Sequence, residues 1–309
     1  MPSSNRHGPQ RSALAGALLA LGLAAAAGAP GAAWAAPTAA DAGRGGDLDA
    51  EGGRPDEPPP LWTAGLFAVA ADHAVYPGAE RRARNAALLP FVTYRGPVFR
   101  IEGGAAGLRA MRSPRAELDF SAAASFGSDG QDSGARAGMP AIGTLVEIGP
   151  SLRINLGELP DDGERPPWRL DLPLRAVFDA NRDLDYVGLS FEPRLNWRLP
   201  MVGEWTPSLY ASLLFGNQAL NDLYYGVAPV YATPGRPAYE ARAGLVATRL
   251  GSSWSHMLRD NLRLGLHASV ETVRGAANRS SPVVGRTADY TLALTLTWTA
   301  FRSEQSGVE

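Results

Sequence analysis

Apolar and polar side chains alternate along most of the chain after Leu61, in stretches of about ten residues parted by Gly, Pro, Asn and Asp. The clearest stretch is 187–199, whose odd positions are apolar and whose even positions include Glu192, Arg194 and Arg198. Successive side chains of a β-strand point to opposite faces, so this stretch has one apolar face and one charged face. It exceeds the usual globular strand of about 5–6 residues and suits a tilted strand that crosses a bilayer. The pattern predicts a membrane β-barrel.

Read in the same way, the chain predicts an all-β fold, a transmembrane antiparallel β-barrel of about twelve strands. An even number of strands puts both termini in the periplasm. The longest gaps between strands then fall on the extracellular side, although the connection 157–167 is long for a periplasmic turn. Those gaps are 72–87, 127–143, 216–238 and 274–288. The predicted strands are 61–71, 88–94, 98–103, 105–111, 116–126, 144–156, 168–178, 186–199, 205–215, 239–250, 261–273 and 289–301.

The polar faces of these strands carry charges of both signs, which favours a barrel over a secreted soluble β-sandwich, the alternative for an alternating pattern. Interspersed signs favour cross-strand ion pairs that fill a medium-sized barrel, whereas a ring of one sign would indicate an ion-selective channel. We therefore expect a narrow or mostly closed pore, with 216–238 as a candidate for an inward-folding plug. The charged residues expected to face the lumen are Arg153, Arg169, Asp171, Arg175, Glu192, Arg194, Glu240, Arg242, Arg263 and Glu271.

The two ends of the chain differ from the strand region. A basic start, an apolar run over 12–29 and Ala33-Trp34-Ala35 predict a secretory signal peptide over 1–35, cleaved on export. An uncleaved N-terminal anchor helix is the alternative. Residues 36–60 are rich in Ala, Gly, Pro and Asp, so we expect a disordered periplasmic linker there. The barrel domain is expected over 61–301, followed by a tail over 302–309.

The composition gives little support to catalysis or cofactor binding. The chain has no cysteine and only four histidines, which are scattered, so no disulfide, metal site or cofactor is expected. Its formal net charge of -2 gives no reason to expect nucleic-acid binding. Ser252, Ser253, Ser255 and His256 are the nearest approach to a hydrolase site, but the pattern places them in a periplasmic turn. We expect a protein that is not an enzyme.

Several short motifs, taken in order, resemble the MipA/OmpV family of outer-membrane proteins over about residues 61–301. The most specific match is Tyr224-Tyr225-Gly226-Val227 followed by Gly235-Arg236-Pro237-Ala238-Tyr239-Glu240-Ala241 and Gly244. The chain departs from the usual barrel ending, because residues 302–309 follow the aromatic Phe301. The other matching motifs are Tyr76-Pro77-Gly78, Leu89-Pro90, Tyr94-Arg95, Gly149-Pro150-Ser151-Leu152 and Leu172-Pro173-Leu174-Arg175.

The resemblance implies a location in the outer membrane of a Gram-negative cell, in contact with outer-membrane lipid. It also implies a non-enzymatic scaffold that joins a murein lytic transglycosylase to a bifunctional penicillin-binding protein in peptidoglycan growth. A small porin-like channel with a charged lumen is the alternative function. The segments 36–60 and 157–167 are the exposed periplasmic candidates for partner contact, although solvated linkers would have the same composition.

Overall fold

A computed structural model describes residues 60–95, 99–102, 105–108, 111–113, 115–125, 134–157 and 166–307. The predicted signal peptide 1–35 lies outside the described residues, and so does the predicted linker apart from Pro60. Most of the connection 157–167 lies outside them as well, namely residues 158–165.

Within the described residues, fourteen strand segments form one antiparallel sheet, with little helix. The helices are α1 (Gln218–Tyr225) and a 3₁₀ turn at Pro229–Tyr231. The strands are β1 (Trp62–Ala74), β2 (Arg82–Arg95), β3 (Phe99–Glu102), β4 (Ala105–Leu108), β5 (Met111–Arg112), β6 (Ala116–Ser125), β7 (Leu145–Leu156), β8 (Trp168–Asp179), β9 (Asp185–Phe191), β10 (Arg194–Arg198), β11 (Trp205–Gly216), β12 (Gly244–Arg259), β13 (Leu262–Thr272) and β14 (Ala288–Arg302).

Most strands pair with the strands next to them in sequence, and β1 pairs with both β2 and β14. The order is β4-β3-β2-β1-β14-β13-β12-β11-β10-β8-β7-β6-β5, with β9 between β8 and β11. The first and last strands of the domain are therefore joined by a continuous hydrogen-bonded ladder. The predicted all-β antiparallel fold is confirmed.

Two predicted strands are each divided into two segments. The predicted strand 186–199 forms β9 and β10, because the regular ladder is interrupted at Pro193 and at Pro173 on the neighbouring strand. Proline has no N–H to donate to a ladder, so two prolines at one level leave a gap in the pairing. The predicted strand 105–111 corresponds to β4 and β5, and residues 109–110 between them are not described.

The prediction for 239–250 was wrong, because β12 begins at Gly244 and continues to Arg259. The stretch 251–259 was predicted as part of a periplasmic turn between the strands 239–250 and 261–273. Gly251 instead faces Tyr210 on β11, and a Cβ there would lie 2.2 Å from Tyr210 Cε1. The glycine is needed for the tyrosine ring to lie against the strand, and it does not mark a turn.

The predicted start of the second strand was also wrong, since β2 begins at Arg82 and not at residue 88. The extra residues are held to β1 by Asp72, which accepts hydrogen bonds from Arg82 Nε at 2.7 Å and from Arg84 Nε at 2.9 Å. The connection between β1 and β2 is correspondingly shorter than predicted.

The two faces of the sheet have opposite chemistry. The outer face is apolar and exposed, with Leu294 at 47% and Leu250 at 56% of full exposure. The inner face includes buried charges, and Glu192 and Arg194 are each 3% exposed. A water-soluble sandwich would bury the apolar face, whereas a membrane barrel turns it outward.

The connections 75–81, 217–243 and 273–287, and the described part 134–144 of a fourth connection, lie at one end of the sheet, called here the loop end. The opposite end, the turn end, has the short connections 199–204 and 260–261 and both ends of the domain. The residues after β14 stay on β1 there, since Leu61 N donates to Gln305 O at 2.7 Å.

Candidate functional site

The carboxylate of Glu192 is the centre of a buried ion-pair network on the inner face. Its Oε1 accepts hydrogen bonds from Arg194 Nη2 at 3.2 Å, Ser212 Oγ at 2.9 Å and Arg249 Nη1 at 3.3 Å. Arg249 also donates from Nε to Glu271 Oε2 at 2.6 Å. Buried charges are tolerated only when they are paired and hydrogen-bonded. The network thus ties four neighbouring strands, β10 to β13, through their inner side chains.

Two smaller groups of ions continue the inner face onto β7 and β8. Arg169 forks onto Asp171, with Nε 2.9 Å from Oδ1 and Nη2 3.3 Å from Oδ2. Asp171 also accepts from Asn196 Nδ2 at 2.7 Å. In the other group, Glu147 Oε2 accepts from Ser190 Oγ at 3.2 Å and lies 3.8 Å from Arg175 Nη1. Both groups combine opposite charges, so each is largely neutralised within the wall of the sheet.

Aromatic and hydroxyl side chains extend the central network. The Arg194 guanidinium lies 4.1 Å above the Tyr210 ring, which stacks on His267 at 5.9 Å. His267 Nδ1 is 3.0 Å from Ser253 Oγ on the neighbouring strand. All these groups are buried. A serine and a histidine are therefore brought together. Ser253 was one of the serines in the predicted cluster, but its partner is His267 and not His256.

Eight of the ten predicted lumen residues fall into three sets. Glu192, Arg194 and Glu271 share the central network, and Arg169, Asp171 and Arg175 belong to the two groups on β7 and β8. Arg153 and Arg263 lie on the same face, half-buried, nearer the turn end. Residues that the sequence analysis missed are Tyr210 and Arg249.

Glu240 and Arg242 are corrections to the prediction. Both are exposed and precede β12, where Glu240 Oε1 accepts from Gln218 Nε2 at 3.4 Å. Counting the alternation from Tyr239 assigned the even residues of that stretch to the lumen. Since the strand starts only at Gly244, the odd residue Arg249 faces inward instead.

The four long connections form a compact hydrophobic cap at the loop end. Tyr225 of α1 donates from its hydroxyl to Pro77 O at 3.0 Å, and Tyr76 donates to Val283 O at 2.7 Å. Burial raises the pKa of the Tyr225 phenol well above its usual range, so it remains a donor. Buried apolar members of the cap are Tyr76, Ala79, Ile142, Leu220, Tyr225, Val227, Ala241, Val273 and Val283.

Helix α1 packs directly on the backbone of β9. Asn217 caps the helix by accepting from Leu220 N at 3.0 Å, and the same Oδ1 accepts from Leu189 N at 3.0 Å. Gly188, with φ +147°, allows the close approach, because a Cβ there would lie 2.6 Å from Leu220 N. The loop that was the plug candidate is thus packed into the cap, with Leu220 and Asn221 buried.

Two arginines attach the segment 134–140 to the connection that contains α1. Arg236 Nη1 donates to Ala135 O at 2.9 Å and to Ala137 O at 2.8 Å. Arg136 donates in the opposite direction, from Nη1 to Tyr224 O at 3.0 Å. Each guanidinium donates to several backbone carbonyls and so joins the two segments.

Asn278 joins the last connection to α1 and to the residues before β12. Its Nδ2 donates to Asn221 Oδ1 and to Arg242 O, both at 2.8 Å. Its Oδ1 accepts from Arg242 N at 2.8 Å and from Tyr239 OH at 3.3 Å. Asn278 and Asn221 are each fully buried, at 0% exposure.

Replacing Asn278 by alanine is expected to loosen the cap and leave the sheet intact. The substitution leaves buried donors and acceptors without partners, which costs about 1–3 kcal/mol. Hydrogen exchange over 218–243 should therefore become faster, while exchange in β1 and β14 stays unchanged. The control is Ser280→Ala, because Ser280 Oγ makes an exposed contact of 3.4 Å with Tyr239 OH. Equal exchange in the two variants would show that Asn278 does not hold the cap.

Aromatic side chains mark both borders of the apolar outer face. Trp62, Trp168, Trp197 and Trp298 lie towards the turn end, and Tyr186 and Tyr290 lie at the loop end, all of them exposed. The rings of Trp168 and Trp197 stack at 4.8 Å. Aromatic belts of this kind lie at the two interfaces of a membrane.

The described part of the chain contains no group of three His, Asp or Glu residues that could hold a metal ion. No helix within it has the length and apolar character needed to cross a membrane.

An antiparallel sheet with an apolar outer face, aromatic borders and an ion-paired inner face defines the class of outer-membrane β-barrel proteins. The chain belongs to the family described as MltA-interacting protein MipA, whose sequence profile matches residues 65–300. The family resemblance noted from the motifs is thus confirmed, and the chain is an outer-membrane β-barrel protein. No curated protein sequence shows significant similarity to it.

Solved outer-membrane proteins resemble the chain at low identity. The NanC porin is 8% identical, with a TM-score of 0.37, covering 76% of this chain and 99% of the porin. A Pseudomonas aeruginosa FadL homologue is 13% identical, with a TM-score of 0.35, covering 87% of this chain and 78% of the homologue. The Salmonella typhi outer membrane phospholipase is 13% identical, with a TM-score of 0.31, covering 84% of this chain and 99% of the phospholipase.

Proposed function

We propose that this protein is a non-enzymatic scaffold of the outer membrane that binds peptidoglycan-remodelling enzymes in the periplasm. The partners would be a murein lytic transglycosylase, in keeping with the family description, and a bifunctional penicillin-binding protein. The observation that carries the proposal is the burial of the inner-face ion-pair network, with a hydrophobic cap at the loop end. Buried charges that pair with one another support a role for the surface of the molecule and not for a water-filled lumen.

The burial of the inner face weighs against the porin-like alternative. A water-filled lumen would leave inward-facing charges exposed, whereas Glu192 and Arg194 are each 3% exposed. Purified protein in planar bilayers is therefore expected to give no large, steady conductance. Such a conductance from the native chain would favour the channel and count against a filled barrel.

The burial of Ser253 and His267 also supports a non-enzymatic role. Their exposures are 7% and 5%, and the Tyr210 ring stacks on the imidazole. A nucleophile needs a position beside it where a substrate carbonyl can sit. We assign the pair to packing and hydrogen bonding within the wall of the barrel.

Site-specific cross-linking in cells tests the scaffold and its orientation together. A photo-reactive residue at Met201, 64% exposed in a turn-end hairpin, is expected to capture murein enzymes. The same residue at Val230, 80% exposed in the cap, is the control and should capture none. Capture from Val230 alone, or no murein enzyme from any turn-end position, would contradict the proposal. Mass spectrometry of the linked products identifies the partners.

A further inference from the structure

A cluster of charged side chains lies on the outer face of the sheet, at the loop end of β1, β2 and β14. Asp72 of β1 accepts hydrogen bonds from two alternate arginines of β2, from Arg82 Nε at 2.7 Å and from Arg84 Nε at 2.9 Å. Arg84 is directly opposite Asp72 in the ladder. Alternate residues of a strand share a face, so both arginines lie on the same side as the exposed Leu88. The charges therefore mark the loop-end border of the apolar face.

The cluster lies at the level of the aromatic border. Arg82 reaches across β1 to β14, where its Cζ lies 3.8 Å from the centroid of the Tyr290 ring and its Nη1 donates to Tyr290 O at 2.9 Å. Aromatic belts lie where the hydrocarbon of a membrane meets the lipid head groups. The long loops of outer-membrane barrels are extracellular. The cluster is therefore at the head-group level of the outer leaflet.

The two arginines of β2 differ in how far the protein satisfies them. The Arg82 side chain is 17% exposed and pairs with Asp72 and with the buried carboxylate of Asp289. The Arg84 side chain is 87% exposed. Within the described part of the chain, it makes its hydrogen bond through Nε alone. The bond to Asp72 holds the Arg84 guanidinium on the outer face, and both of its Nη groups remain for a ligand.

A second exposed arginine, Arg286, shares Asp289 with Arg82. Its Nη1 lies 3.7 Å from Asp289 Oδ2, and its side chain is half-exposed. The exposed Glu80 packs against Gly285, next to Arg286, so its carboxylate opposes the binding of an anion there. Arg84 is therefore the principal anion-binding group of the cluster, and Arg286 is the second.

We propose that Arg84, assisted by Arg286, binds a phosphate group of a lipid in the outer leaflet of the outer membrane. Two parallel N–H groups of a guanidinium match two oxygens of a phosphate, which makes arginine well suited to this ligand. The fitting class of lipid is a phosphorylated glycolipid, whose acyl chains cover the exposed Leu88 and Leu292 below the cluster. The burial of those chains favours a lipid phosphate over free phosphate.

Native mass spectrometry of the purified full chain in detergent tests this proposal. The probe is diphosphorylated lipid A, and the comparison is dephosphorylated lipid A with the same acyl chains. We expect the phosphorylated lipid to bind more tightly, and Arg84→Gln to weaken its binding by roughly tenfold, since a charge-assisted pair of hydrogen bonds is lost. Arg84→Lys should give a smaller loss, because the charge is kept and the paired donors are lost. An exposed side chain can be replaced with little effect on folding.

The matched control is Arg259→Gln, because Arg259 is an exposed arginine beside the exposed Leu258 at the turn-end border. Its loss should change the binding of diphosphorylated lipid A by no more than about twofold. Equal losses in the Arg84 and Arg259 variants, or equal binding of the two lipids, would overturn the proposal. Displacement of the lipid by millimolar inorganic phosphate would also overturn it, since the site would then take free phosphate. No murein enzyme is present, so this result is independent of the scaffold role.

Discussion

Replacing Glu192 by glutamine is expected to lower the free energy of unfolding by about 3–5 kcal/mol, the usual cost of removing one partner from a buried ion pair. The amide keeps the shape and loses the charge that faces two arginines. Arg194 and Arg249 would then lie close together without the carboxylate they share. Urea titration of the protein folded into lipid vesicles measures the loss.

The control for this prediction is Glu204→Gln. The Glu204 side chain is 86% exposed, and its basic partner His256 lies 3.7 Å away. Glu204→Gln should therefore change the free energy of unfolding by no more than about 0.5 kcal/mol. In the double variant Glu192→Gln, Arg194→Gln, part of the cost should be recovered, because the arginine that paired with the missing carboxylate is also removed, while Arg249 keeps its pair with Glu271. A loss below about 1 kcal/mol for Glu192→Gln would mean that water reaches the carboxylate and that the lumen is open.

The alternation in the sequence predicted the strands well because each residue faces either lipid or the interior, and a change of face is costly. Moving the charged side of β9 and β10 by one residue would put Glu192 and Arg194 into hydrocarbon. The predicted strand boundaries were wrong where this constraint is absent. The stretch 251–259 has small residues on its inner side, as at Gly251 beside Tyr210, and small residues hide the alternation.

The site was less predictable than the fold because it depends on contacts between distant segments. Alternation identified Glu192 and Glu271 as inward-facing, but not Arg249, which links them. That arginine was assigned to the wrong face because residues 239–243 alternate like a strand although they belong to the cap. Their conformation is set by contacts such as that of Ala241 N with Asp222 Oδ1, 2.8 Å, which no local pattern reveals.

Leu294→Arg is expected to lower the free energy of unfolding in lipid by about 2–4 kcal/mol, the cost of an arginine near the bilayer midplane on the outer face of a barrel. Leu294 is in the middle of β14, opposite Ala70 of β1 and Leu266 of β13. It is already 47% exposed in the folded chain. If water surrounded this face, replacing an exposed leucine by arginine would change stability by only about 0.5 kcal/mol. The substitution therefore shows whether lipid or water surrounds the outer face.

Leu258→Arg is the matched control for Leu294→Arg, because Leu258 is 46% exposed but lies at the end of β12 beside Arg259. An arginine there reaches the interface, so its cost should be about 0–1 kcal/mol. Urea titration in vesicles gives both values. The difference between the variants measures how the cost depends on depth in the membrane. Equal, small losses of unfolding free energy at the two positions would contradict the assignment of the apolar face to lipid. The sheet would then be water-soluble, with its apolar face in contact with water.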